Sequence, residues 1–164
     1  MIMRVVFFLL LLLSMAVAAT AEPVGDGAAD PEVVALFQSL EQAFRRKSVQ
    51  DIIANLHQDF VYDMTYRTDG ALSALKNDLQ QYRESLGAFF LSNPDIVDYR
   101  IMVESADASG REVTVQARII SVVRLNGIVN SCDASSGYSL LRANGRLLIK
   151  GVRGEAACTN TKGE

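Results

Sequence analysis

Residues 112–152 read EVTVQARIISVVRLNGIVNSCDASSGYSLLRANGRLLIKGV, and the fold is decided by where this run turns. It contains Leu125-Asn126-Gly127-Ile128 and Ala143-Asn144-Gly145-Arg146, two Asn-Gly pairs between strand-forming residues. A type I′ hairpin needs positive φ at both central positions, which Asn and Gly adopt at little cost. Three antiparallel strands are therefore predicted over residues 112–125, 128–142 and 146–153. Two-residue loops set Leu140 opposite Val113 and Ile149, and Tyr138 opposite Val115 and Gly151. Ala117 and Ile119 continue that face against Ser136 and Ala134. One apolar face crosses three strands without a break in parity, as a half-buried sheet requires.

Upstream, Ile96–Ser105 alternates through Val97, Tyr99, Ile101 and Val103. A two-residue Ser109-Gly110 turn would bring Arg100, Met102 and Glu104 onto the core face. A three-residue loop, Ala108-Ser109-Gly110, pairs Val103 with Val115 instead and completes a four-strand meander. Downstream, the same register sets Cys132 opposite residue 157, one short of Cys158. A single bulge near Gly151 or Gly154 would bring the two cysteines together.

That pairing is also expected from the other end of the chain. Met1–Ala21 reads as an export signal: Arg4 precedes the apolar run Val5–Leu13, and small residues lead to Ala19-Thr20-Ala21. An uncleaved membrane anchor is the competing reading, but Val5–Ala21 is barely long enough to span and its second half is weakly hydrophobic. A periplasmic or secreted location favours a Cys132–Cys158 disulfide over a metal or redox pair. After the signal come a flexible leader (22–29), one domain (30–158) and a flexible tail (159–164). Without Arg4 the 16 basic residues become 15 against 19 acidic, a balance that argues against nucleic acid or an anionic membrane as partner.

Asp30-Pro31-Glu32 has the chemistry of a helix start, and Val33, Phe37, Leu40 and Phe44 follow as one apolar stripe. Arg45, Arg46 and Lys47 suit the end of that helix. Ser48 to about Leu56 predicts a short second helix with Ile52, Ile53 and Leu56 inward, and Phe60–Tyr66 alternates as a strand. Thr68-Asp69-Gly70 then leads into a long helix in which Leu72, Leu75, Leu79, Tyr82 and Leu86 step by three and four, stopped by Asn93-Pro94. The fold class is thus α+β, with a curved antiparallel meander wrapped around three helices that precede it.

This element order, together with FRRKSVQDIIANLHQDFVYD at Phe44–Asp63, resembles the nuclear transport factor 2-like superfamily, which includes SnoaL-like and ketosteroid-isomerase-like proteins. The resemblance spans about residues 31–155. It implies a cone with an apolar pocket at its open end, lined by Tyr99, Val115, Ala117 and Tyr138 of the sheet, Tyr82 and Leu86 of the long helix, and the first strand with Tyr62 and Tyr66. Many folds of this kind bind without catalysing, so the fold does not set the function.

Asp63 is the candidate general base, since it lies on the strand where enzymes of this superfamily often place a carboxylate. An isomerase of that pattern also needs a hydrogen-bond donor for the developing oxyanion. The pattern takes its donor from a tyrosine of the first helix and an acid of a later strand, and this chain has neither. Alternation moreover sets Asp63 opposite in facing to Tyr62 and Met64. His57, the single histidine, falls at the predicted end of the second helix, where a cation is favoured. No metal or cofactor motif is present.

The expected function is therefore an exported, non-catalytic binding domain for a small apolar ligand or a protein partner. A SnoaL-like isomerase or dehydratase using Asp63 is the alternative, and an envelope-assembly or toxin-neutralising module is a third. The outer sheet face combines Thr114, Gln116, Arg118, Ile120 and Val122 with Leu141, Leu148, Lys150 and Val152. With no helix left to cover it, this face is expected to pair two copies of the chain or to meet a protein partner.

Overall fold

The computed structural model describes residues 30–163. The expected signal and the whole of the leader fall outside them. Three helices and six strands are present among the described residues: α1 (Pro31–Arg45), α2 (Val49–Ile53), β1 (Leu56–Thr68), β2 (Ala71–Asp78), α3 (Leu79–Leu91), β3 (Asp95–Ser109), β4 (Glu112–Leu125), β5 (Ile128–Ala143) and β6 (Arg146–Lys162). The strands form one curved sheet in the order β2-β1-β6-β5-β4-β3. All neighbours are antiparallel except β1 and β6. The sheet is mixed rather than a pure meander, and along the chain α3 connects its two edge strands, β2 and β3.

Both Asn-Gly turns form as expected. Asn126, Gly127, Asn144 and Gly145 all have positive φ, and Val113 pairs with Leu140, Val115 with Tyr138 and Leu140 with Ile149. These residues, with Ala117, are the buried side of the sheet. Against them packs α1, capped where Asp30 accepts the Glu32 N–H at 2.9 Å and burying Val33, Leu36, Phe37, Leu40 and Ala43. Arg142 of β5 reaches this cap, 2.9 Å from the Asp30 carboxylate and bonded to Glu32.

Four other expectations are corrected by the register, while the bulge expected near Gly151 is present, at Lys150. From there Ser139 pairs with Gly151, Tyr138 with Val152 rather than Gly151, and Cys132 with Cys158. Val152 consequently turns inward and is buried, leaving the outer face that the sequence assigned to it. The β3–β4 turn is the two-residue Gly110-Arg111, and parity is restored by a bulge at Glu104, so that Val103 pairs with Ala117 and Ala106 with Val115. Finally, β6 continues to Lys162, so residues 159–162 belong to the sheet and not to a tail.

The largest difference lies at residues 71–78. They form β2 and not the first half of a long helix. Asp69 and Gly70 have φ of 49° and 88°, making a two-residue hairpin turn between Thr68 and Ala71. Leu72 and Leu75 had matched a helical stripe, but Leu72 is 63% exposed and Leu75 faces inward from a strand opposite Met64. The helix starts only at Leu79, behind a capping box of Asp78 and Gln81. α2 likewise ends at Ile53, and Leu56 is already in β1.

Candidate functional site

Between the concave face of the sheet and the helices lies a chamber of about 380 Å³. Even-numbered residues of β1 (Tyr62, Met64, Tyr66) and β5 (Cys132, Ala134, Ser136, Tyr138) form one wall, because alternation sends them to the same side of the sheet. Tyr99 and Ile101 of β3 close one flank, Leu75 and Asn77 of β2 the other. Tyr82, Ser85, Leu86 and Phe89 of α3 cover it, with Leu40 and Phe44 of α1 at the inner end.

All five tyrosines of the chain line this chamber. Four of their rings are held by aromatic neighbours. Phe44 stacks on Tyr99 with centroids 4.0 Å apart, Tyr82 stacks on Tyr62 at 4.9 Å, and Phe37 meets Tyr138 edge-on at 4.8 Å. The hydroxyls of Tyr62 and Tyr66 are hydrogen-bonded to each other. Burial raises the pKa of each phenol, and for Tyr62 the neighbouring Tyr66 and Tyr82 add to the rise. The phenols therefore stay neutral and act as hydrogen-bond donors at physiological pH.

The remaining polar groups are few and weakly committed. The Ser136 hydroxyl, 1% exposed, donates to the Met64 sulfur at 3.7 Å. Asn77 Nδ2 donates to Ser85 Oγ at 3.3 Å. No Asp, Glu, Lys, Arg or His lines the wall among the described residues. A buried charge without a partner costs several kcal/mol, so this lining admits a neutral guest far more readily than an ion.

Of the residues singled out from sequence, Tyr62, Tyr66, Tyr82, Leu86, Tyr99 and Tyr138 all reach the chamber. Val115 and Ala117 lie on the same face, but both are completely buried in the core and not on the chamber wall. Asp63 points to the outer face, where Arg153 stands 3.3 Å from its carboxylate and where it borders a shallow groove with Glu112 and Lys150. His57 is the second residue of β1, not the end of a helix, and its Nδ1 accepts the Asp59 N–H at 3.2 Å. Neither residue touches the chamber. Leu75, Asn77, Ser85 and Ser136 were missed. The Asp69-Gly70 pair was the signal that could have found the first two, since it turns 71–78 into a strand.

Cys132 also lines the chamber and is disulfide-bonded to Cys158. No helix among the described residues is long and apolar enough to cross a membrane.

The architecture is the nuclear transport factor 2-like fold. No family model matches the sequence, and no curated protein does. Solved structures do match. A nuclear transport factor 2-like protein from Cytophaga hutchinsonii is similar with a TM-score of 0.57 at 10% identity, covering 79% of this chain and 95% of that one. A ketosteroid isomerase-like protein from Erwinia carotovora atroseptica gives 0.56 at 14% identity, covering 80% and 95%. A protein of the same fold from Rhodospirillum rubrum, described as of unknown function in nutrient uptake, gives 0.57 at 12% identity, covering 79% and 98%. At such identities the likeness establishes the fold alone.

Proposed function

We propose that this chain is an exported domain that holds a neutral, largely apolar small molecule in its tyrosine-lined chamber. The observation that carries this reading is the composition of the wall, in which five neutral phenols surround a cavity without a charged side chain. Aromatic rings supply wide, rigid contact, and their hydroxyls can orient one polar atom of the guest. Export is supported by the apolar segment Val5–Leu13 and by the disulfide. An Asp63-dependent isomerase is less well supported, because the carboxylate sits on the far side of the sheet beside Arg153.

The chain has no tryptophan, so tyrosine emission reports directly on the chamber. A neutral polycyclic fluorophore is expected to quench that emission and to bind more tightly than its carboxylated analogue. Ser85→Phe, at an exposed helix position that also borders the chamber, should block the probe without unfolding the protein and without adding a tryptophan. Equal binding of both probes, or unchanged binding by Ser85→Phe, would overturn the reading. Turnover of a ketone or hydratable substrate that Asp63→Asn abolished would replace it with the enzymatic one.

A further inference from the structure

The two edges of the sheet are built differently. β3 is broken by bulges at Val97 and Glu104 and carries Asp95, Asp98, Arg100, Glu104 and Asp107. The Glu41 carboxylate of α1 also accepts the Ile101 N–H at 3.0 Å. Bulges, charges and a covering element are the means by which an edge is kept from pairing with another chain. β2, at the opposite edge, has no bulge and fewer charges. It pairs with β1 without a register shift, its single interior charge is Lys76, and Leu72 and Leu75 are 63% and 40% exposed.

The two-residue turn makes Thr68 and Ala71 a hydrogen-bonded pair, so Ala71, Ser73, Leu75 and Asn77 bond to β1. The backbone N–H and C=O groups of Leu72, Ala74 and Lys76 then point away from the sheet. We propose that β2 pairs antiparallel with β2 of a second copy of this chain, about a twofold axis at Ala74.

The strand is self-complementary in that register. Leu72 stands opposite the copy's Lys76, whose aliphatic stem covers it, Ser73 stands opposite Leu75, and Ala74 meets itself. All three free residues find ladder partners, and no like charges face each other. A shift that moves the axis to Lys76 would set the two ammonium groups together. Pairing about a twofold axis also closes the assembly, since each outer edge is then the guarded β3. The outer sheet face is a weaker candidate. It has lost Val152 to the interior, and Arg118 forks onto Asp133 across it.

An interface of one strand pair falls below the ~1,200–2,000 Å² of standard complexes, so dimerisation is concentration-dependent. Sedimentation of the disulfide-bonded protein should show a monomer–dimer equilibrium below about 1 mM. Ala74→Lys and Ala74→Glu, at an exposed position on the outer side of β2, should each be monomeric with unchanged circular dichroism. An equimolar mixture of the two should recover the dimer. A wild-type monomer at about 1 mM, dimers of either single variant, or a mixture that stays monomeric would each overturn the proposal.

Discussion

Phe37 of α1 meets Tyr138 of β5 edge-on, with ring centroids 4.8 Å apart and planes at 89°. This contact joins the helix to the middle of the sheet, and both rings are buried, Phe37 at 2% exposure. Edge-to-face aromatic pairs contribute about 0.5–1.5 kcal/mol beyond simple burial. Phe37→Ala removes that contact and leaves a cavity beside a chamber residue, so it should destabilise the fold by about 3–5 kcal/mol in urea denaturation. Phe37→Leu keeps most of the volume and should lose less than half as much. Equal losses would mean that refilling the volume contributes nothing and that the whole cost is the loss of the aromatic ring.

Alkaline pH should unfold the protein through the chamber. Burial raises the pKa of all five tyrosines, whereas in the unfolded chain each ionises near the usual ~10. The folded state therefore holds its phenolic protons more tightly. Its advantage is fully present below pH ~10 and is lost as pH rises toward the folded values, because the unfolded chain ionises first. Tyrosinate absorbance and the far-ultraviolet circular dichroism should change together, in one cooperative step above pH ~10. A gradual rise in absorbance with the dichroism intact would mean that the phenols ionise in the folded protein.

The sequence was legible where turn chemistry and alternation agree. Asn126-Gly127 and Asn144-Gly145 demand hairpins, and the valines of β4 alternate cleanly beside them, so their pairing follows without any long-range information. β2 was illegible for the opposite reason. Leu72, Leu75 and Leu79 step by three and four as a helix would, and at an edge strand burial imposes no alternation to contradict them. Only Asp69-Gly70 spoke for a strand. The chamber tyrosines were legible because they follow from parity on strands already placed. The depth of Val115 and Ala117 was not, since it depends on where the helices rest on the sheet. The β3 bulge was hidden too, as a longer loop restores the same parity.

Gly154 cannot accept a side chain. A Cβ there would lie 2.2 Å from the Ser135 carbonyl oxygen and 2.8 Å from the Ser136 Cα, both backbone atoms of the neighbouring strand. Since backbone must move to relieve either clash, Gly154→Ala should cost at least the ~1–3 kcal/mol typical of overpacking. Gly87, with nothing within 4 Å of its hypothetical Cβ, lies inside α3, and Gly87→Ala should instead stabilise by about 1 kcal/mol. Thermal denaturation of the two variants tests the pair, and a shift of the same sign in both would contradict the packing described here.

The Cys132–Cys158 bond closes a loop with a sequence separation of 26. The chain-entropy model gives such a loop about 3 kcal/mol of stabilisation. The double variant Cys132→Ser/Cys158→Ser should therefore lower the unfolding free energy measured in urea by that amount while keeping the far-ultraviolet spectrum, because ladder pairs on both sides of the cysteines hold the strands. Reduction of the wild type should reproduce the same loss. If the reduced protein matched the oxidised one in stability, the disulfide would not constrain the unfolded chain.

Lys150 is the surplus residue of β6 that the β5–β6 ladder bulges out, so that the two cysteines still meet. Ile149 pairs with Leu140 and Gly151 with Ser139, its immediate neighbour, so Lys150 has no partner on β5. Deleting it should leave every flanking pair in place: Val152 still opposite Tyr138, Cys158 still opposite Cys132, and the disulfide formed. What disappears is the local bend of a bulged strand, a change that should lie within the ~0.5–3 kcal/mol of ordinary substitutions. Deleting Val152 instead removes a buried side chain and leaves Gly151 opposite Tyr138 once the bulge is absorbed, which should cost more. Thiol titration and urea denaturation of the two deletions decide the point. Two free thiols in the protein lacking Lys150, or a greater loss of stability than in the protein lacking Val152, would show that the extra residue serves more than register.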